Sequence, residues 1–298
     1  MQTAILIHNI SWAHSSNSVE ISKGLTFINL DNHQVEKLYY HICEKDKIDE
    51  SSPYDYHIAL IIDHDIIENV SVFPHHSDFP SHSEYALSTS VLNILTILKK
   101  GILGFCRVIT SSDNFQTCKL TFRLYETATD YIDELTAEHG NFENETARNF
   151  RTIWNNLKLF SSRTRKSRIE NALNFFYFSW QTLSLEQTGI CLSIVLETLF
   201  TPNSNNELTH QISYNIANFF ENKKSSKIER YRYIKKYYSI RSKLVHGESL
   251  SDNELLSIKE YFKFVCDLIL KIISDKELIL VFNDNKSRIK YLEEQLFT

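Results

Sequence analysis

The chain has 298 residues, 42% of them hydrophobic and 23% charged, a composition that supports a buried core and excludes global disorder. Its net charge is -5, and its 5 cysteines (Cys43, Cys106, Cys118, Cys191 and Cys266) are scattered without a Cys-x-x-Cys, which points to reduced thiols in a cytoplasmic setting rather than a disulfide framework. No stretch approaches the roughly 18 apolar residues of a spanning helix, so a soluble protein with no membrane partner is expected.

Up to about residue 140 the apolar residues come in short runs. Ala4 to His8, Leu25 to Leu30, His57 to Ile62, Val70 to Phe73, Gly104 to Ile109 and Cys118 to Tyr125 predict strands. Gln34 to Glu44, Ser88 to Lys100 and Asp130 to Ala137 predict helices between them, which makes residues 1–140 an α+β domain, assigned a sensing or regulatory role. The polar stretch Glu138 to Glu145, with Gly140 inside it, is the expected boundary. Ala147 to Leu159 reads as a connecting helix within residues 141–163. His57, His64, His75, His76 and His82, with Asp63, Asp65 and Asp78, match no ligand spacing, so no metal site is expected. Phosphate-binding glycine loops and a Gly-x-Ser-x-Gly elbow are missing from a sequence with only 6 glycines, and no cofactor is expected.

Residues 164–298 read as helix throughout, an all-α bundle. Ile169, Ala172, Leu173, Phe176 and Trp180 form one stripe, and Ile190, Ile194, Leu196 and Phe200 mark a nearly all-apolar helix expected at the centre. Glu207 to Glu221 follows, with Glu207 and His210 on one turn. Next comes a basic helix with the expected inward stripe Ile228, Tyr231, Ile234, Tyr238, Arg241 and Val245. Leu255 to Ile273 closes the bundle and Ser287 to Phe297 adds a terminal helix.

The basic helix concentrates the chemistry. Lys224, Lys227, Arg230, Arg232, Lys235, Lys236, Arg241 and Lys243 stand against a single acid, Glu229, and Arg163, Arg165, Lys166 and Arg168 make a second basic knot. Such a run is either a solvated helix face or a phosphate-binding surface. Tyr231, Tyr233, Tyr237 and Tyr238 interleave with the cations and offer stacking surfaces for bases, so Lys224, Lys227, Arg230, Arg232, Lys235, Lys236 and Lys243 are the candidate RNA contacts. At the end of the helix stands Arg241-Ser242-Lys243-Leu244-Val245-His246-Gly247. An arginine fork fixes a phosphate and an imidazole moves a proton near neutral pH, which is equipment for cutting RNA without a metal.

Residues five apart lie about 140° apart on an ideal helix, so Arg241 and His246 do not share a face of a straight one. Gly247 can end the helix in a left-handed turn at His246, or a symmetric dimer can bring two copies of the helix across one cleft. The sequence Ser251-Asp252-Asn253-Glu254 then starts a new helix with a capping box. Arg241 falls on the apolar stripe, where a cation needs an acid, and Glu197 is the candidate. A helix-terminal His capping carbonyls beside a surface Arg accounts for the same residues without catalysis.

From about Arg165 to Asp275 the sequence resembles the Apea-like branch of the HEPN superfamily. Three pieces carry this in order: Leu192-Ser193-Ile194-Val195-Leu196-Glu197-Thr198-Leu199-Phe200, then Asn206-Glu207-Leu208-Thr209-His210-Gln211-Ile212-Ser213, then Tyr237 to Gly247 ending Arg-Ser-Lys-Leu-Val-His-Gly. In HEPN ribonucleases an Arg and a His separated by four to six residues are catalytic, and Arg241 and His246 match with a gap of four. The branch often has an arginine where Asn215 stands here. The resemblance implies an HEPN-like helical bundle with Arg241 and His246 catalytic and Glu197, Tyr238, Ser242 and Gly247 in support. It further implies a homodimer cutting RNA, tRNA among the candidate targets, in anti-phage defence or abortive infection. A phage-derived trigger or an antitoxin is the expected partner. The competing expectations are a helical module that binds RNA or protein without catalysis, and the toxin subunit of a toxin-antitoxin pair.

Overall fold

A computed structural model of the chain describes residues 2–8, 10–31, 34, 56–63, 83–101, 106–111, 119–124, 140–158, 167–182, 184–201 and 207–295. The chain divides into two compact units, Met1–Ser161 and Ser162–Thr298. Among the described residues the first holds an antiparallel sheet, a parallel strand pair and two helices, and the second helices alone.

In the first unit the strands are β1 (Gln2–His8), β2 (Ile10–Trp12), β3 (Ser18–Ser22), β4 (Leu25–Asn29), β5 (Tyr56–Asp63), β6 (Cys106–Ser111), β7 (Lys119–Leu124) and β8 (Gly140–Phe142). Six of them form one antiparallel sheet in the order β3-β4-β5-β1-β6-β7. Strand β5 is central, and its consecutive Ile58, Ala59 and Leu60 are all buried, which is why it reads as an unbroken apolar run. The outer strand β3 instead alternates, with Val19 and Ile21 inward and Ser18 and Glu20 outward. Helix α1 (Ser83–Lys99) is buried at every position from Thr89 to Ile97, and α2 (Asn144–Lys158) turns in Ala147, Phe150, Ile153, Trp154 and Leu157. Phe150 meets Phe27 of β4 edge-on with centroids 5.2 Å apart, and Arg151 Nη2 donates to Glu20 O of β3 at 2.6 Å. The helix expected as a connector thus packs on the sheet within the first unit. The polar stretch around Gly140 forms β8, which pairs in parallel with β2.

Five predicted strands coincide with β1, β4, β5, β6 and β7. The predicted strands do not include β3, nor β2 and β8, which are three residues long and pair across more than a hundred residues. The predicted strand Val70 to Phe73, helix Asp130 to Ala137 and nearly all of helix Gln34 to Glu44 lie outside the described residues. So do His64, His75, His76, His82, Asp65, Asp78, Arg163, Arg165 and Lys166.

The second unit contains α3 (Arg168–Gln181), α4 (Leu185–Phe200), α5 (Leu208–Phe220), α6 (Lys224–Val245), α7 (Asp252–Ser274), α8 (Lys276–Asn283) and α9 (Asn285–Glu294). Ser167 and Glu170 form a capping box at α3, and Ser251 and Glu254 form the expected one at α7. All five residues of the predicted α3 stripe are buried. In α4 the buried residues are Leu185, Thr188, Gly189, Leu192, Ser193, Val195, Leu196, Leu199 and Phe200, whereas Ile190 and Ile194 are only half-buried. Arg288 is almost completely buried and donates through Nη1 to Leu199 O at 2.9 Å and Thr201 O at 2.7 Å, closing the C-terminal end of α4. Asn215 Nδ2 donates to Phe200 O at 3.1 Å, so Asn215 also serves that helix end. The short α8, not expected from the sequence, is capped by Asp275, which receives the Glu277 N–H at 2.8 Å.

Candidate functional site

Helix α6 rotates differently from the stripe expected of it. Its buried residues are Ile234, Tyr237, Tyr238 and Ile240, while Ile228 is 43% and Val245 51% exposed. The inward line therefore runs through Ile234, Tyr237 and the flank of Arg241, and the outward line through Ile228, Arg232, Lys235, Ser239, Ser242 and His246, all exposed. The shift follows from a partner on α4. Tyr237 lies over Gly189, the only α4 position without a side chain, and donates its hydroxyl to Gly189 O at 2.7 Å. Tyr261 of α7 stacks on Tyr237 with the rings 8° from parallel.

Arg241 faces α4, where its Nη2 stands 3.3 Å from Glu197 Oε1, with the side chains 35% and 23% exposed. The approach is an ion pair rather than an aligned hydrogen bond, since among the described residues Glu197 Oε1 receives no hydrogen bond. Burial pushes the Glu197 carboxyl above its ordinary range, and the Arg241 guanidinium pulls it partly back. Tyr238 is buried beside this pair, and burial raises its phenol well above the ordinary value, reinforced by the Glu197 charge. The hydroxyls of Tyr238 and Tyr261 have no hydrogen-bond partner among the described residues. Arg241, Glu197 and Tyr238 thus form one group at the edge of the bundle.

His246 is not in that group. The helix holds its geometry to Val245, and His246 caps it with φ -88° and ψ 4°, so the offset of about 140° from Arg241 persists. Gly247 follows at φ +75°, its N–H bonded to Leu244 O at 3.1 Å and the Glu248 N–H to Lys243 O at 2.9 Å, a Schellman ending at the glycine the sequence marks. The termination is as expected, but it does not fold His246 back onto Arg241. The imidazole is exposed, and among the described residues it makes no hydrogen bond or ion pair.

The basic run is divided as well. Arg230 bonds Glu221 Oε1 through Nε at 3.0 Å and Nη2 at 2.9 Å, and its guanidinium lies over Phe264, Phe220 and Tyr233 at 4.5, 5.0 and 5.6 Å. Lys243 Nζ donates to Glu254 Oε1 at 2.8 Å. That bond, with those from the Ser251 backbone and side chain, holds the Glu254 carboxyl down at about 2. Lys224, Arg232, Lys235 and Lys236 remain exposed, Lys227 is half-buried, and Ser242 is exposed beside them. Of the four interleaved tyrosines, Tyr237 and Tyr238 are buried, and Tyr233 packs against Phe264 at 5.7 Å. Tyr231 alone turns toward α5, where its hydroxyl and His210 Nδ1 share a hydrogen bond at 2.8 Å. Tyr214, one turn from His210 and 42% exposed, was not singled out from the sequence, although its spacing from His210 was a readable signal.

Among the described residues no group of three His, Cys, Asp or Glu is placed to hold a metal ion, and no helix is long and apolar enough to cross a membrane. Cys191, half-buried, and Cys266, buried, are not in disulfides. The chain matches no family model, no curated protein and no solved structure, so the likeness to HEPN domains rests on its own residues. What the fold and site define is an α+β unit followed by a helical unit that carries a basic helix with an arginine and a histidine at its end.

Proposed function

We propose that the helical unit is a metal-independent endoribonuclease of the HEPN type, working in anti-phage defence through cleavage of RNA, with tRNA among its targets. The observation that carries this is the state of the two side chains: a His246 ring exposed and unengaged at a helix end, and an Arg241 fork braced by Glu197 yet a third open to solvent. In the reaction the ribose 2′ oxygen attacks the adjacent phosphorus and the bond to the 5′ oxygen breaks. The 2′ proton passes to one histidine and the leaving oxygen takes a proton from another, giving a 2′,3′-cyclic phosphate and a 5′ hydroxyl. Arg241 neutralises charge that builds on the phosphate.

One α6 presents Arg241 and His246 about 140° apart, so a single copy makes a poor site. Two copies related by a two-fold axis place both Arg241 and both His246 in one cleft, and supply one histidine as base and one as acid. Val245 and Leu256, both 51% exposed, offer apolar contact for such a pairing. The N-terminal unit is assigned the sensing of a phage-derived trigger or antitoxin. A second reading, a helical module that binds RNA or protein without cleaving, is favoured by the engagement of Arg241 with Glu197.

The deciding experiment incubates the purified chain with total RNA in EDTA and analyses fragment ends. Cyclic phosphate ends that fall on the order of 10²-fold or more in folded His246→Ala and Arg241→Ala variants support the nuclease. Unchanged cleavage by folded His246→Ala refutes it. Light scattering at micromolar concentration reports the assembly, and an active monomer refutes the two-copy site.

A further inference from the structure

We propose that the α5–α6 hairpin carries a platform for one unpaired RNA base, formed by Tyr214, His210 and Tyr231 and flanked by Lys235. The proposal rests on the reading of the helical unit as an RNA enzyme and names how that RNA is held. Three observations bear on it. His210 is exposed, bonded through Nδ1 to the Tyr231 hydroxyl at 2.8 Å, with the two rings edge to face at 79°. Tyr214 lies 21° from parallel to the His210 ring with centroids 6.1 Å apart, and is 42% exposed. The Lys235 ammonium sits 5.9 Å from the centre of the Tyr231 ring.

A staple between helices explains the bond from His210 to Tyr231. It does not explain why a third large ring stands beside them in solvent, where burying it would stabilise the fold. Charge selects the occupant. Helix α5 carries no acid within Leu208–Phe220; the exposed Glu207 precedes it, one turn before His210, and Glu221 at the other end is taken up by Arg230. On the facing helix Lys224, Arg232 and Lys235 are exposed. Rings bordered mainly by cations suit a base on its sugar-phosphate chain, where the rings take the base and the lysines the phosphates.

The placement also fits the path to the proposed chemistry. Tyr231, Lys235, Ser242 and His246 fall within about 60° of one another around α6, and His246 lies about 22 Å along the axis from Tyr231. A strand seated at the platform can therefore follow the outward row of α6 to the histidine, past Arg232 and Lys235, without crossing the helix.

Base and phosphate contributions are separable with the whole chain and ligands that cannot be cut. Fluorescence anisotropy would compare a 2′-O-methyl oligoadenylate with an abasic oligonucleotide of the same length and backbone. The wild-type chain should bind the base-containing strand roughly 5- to 150-fold more tightly, the effect of one stacked base. Tyr214→Ala, at an exposed position, should remove most of that preference and leave abasic binding unchanged, and Tyr214→Phe should restore it. Lys235→Glu should weaken both ligands alike and lower the salt dependence of binding. Equal affinity for the two strands in the wild-type chain overturns the platform, as does an equal loss on both in folded Tyr214→Ala; an acidic peptide competing equally with both strands would mark a charge-only surface. Failure of the nuclease reading looks different: base-dependent binding persists and no RNA is cut.

Discussion

Replacing Gly189 by alanine tests whether the seating of α6 is set by that residue. In a helix interior the change by itself adds about 1 kcal/mol of stability, since alanine restricts the unfolded chain and favours the helix. A Cβ there would stand 3.1 Å from Tyr237 Oη, 3.3 Å from Ile258 Cδ1 and 3.4 Å from Leu244 Cδ1. Tyr237 has little room to withdraw, because it is buried, stacked on Tyr261 and bonded to the Gly189 carbonyl. Overpacking of this kind costs about 1–3 kcal/mol, and a buried hydroxyl pulled from its acceptor costs about 1–3 kcal/mol more. The two costs exceed the helix gain, so Gly189→Ala should destabilise the helical unit by about 1–5 kcal/mol. Urea unfolding followed by circular dichroism should show the midpoint of that unit's transition falling at an unchanged slope. In a Tyr237→Phe background the nearest clash is gone and the penalty should shrink. A midpoint that rises or stays put in Gly189→Ala would refute the argument, because helix propensity alone would then decide.

Two further outcomes are expected. Glu197 and Arg241 should show a coupling of about 0.5–1.5 kcal/mol in a double-mutant cycle of Glu197→Ala and Arg241→Ala, between the values for exposed and buried pairs, and additive effects would mean the 3.3 Å approach is incidental. The Glu254 carboxyl is depressed to about 2 by Lys243 and Ser251, so its contribution to stability is present above the ordinary carboxylate value of 4.5 and lost as pH falls toward 2. Carboxyl titration by NMR should place its midpoint near that low value and move it upward in Lys243→Ala, and a midpoint indifferent to Lys243 would contradict the pairing.

Local signals in the sequence were sufficient for several features that depend on residues close in the chain, though not for β3 or α8. The capping box at Ser251 and Glu254, the left-handed stop at Gly247, the apolar run of β5 and the α3 stripe each arise from a few neighbouring residues whose backbone preferences agree. The Arg241–Glu197 pair was also legible, since a cation on the apolar stripe of its helix needs an acid and the central helix offers one. The rotation of α6 was not. Tyrosines and cations are spread around that helix, with Tyr231, Tyr233, Tyr237 and Tyr238 on several sides, so no single stripe dominates. The choice fell to neighbours: the space above Gly189 that accepts Tyr237, and the rings of Phe220 and Phe264 that enclose Arg230. The same choice drew Arg230 and Lys243 into ion pairs and left Lys224, Arg232 and Lys235 facing outward with His246. The sequence alone determined which residue types could do chemistry and where several of the helices begin and end. Only tertiary packing decided which of them face each other, because a helix with apolar and charged groups on every side is oriented by the surfaces it meets.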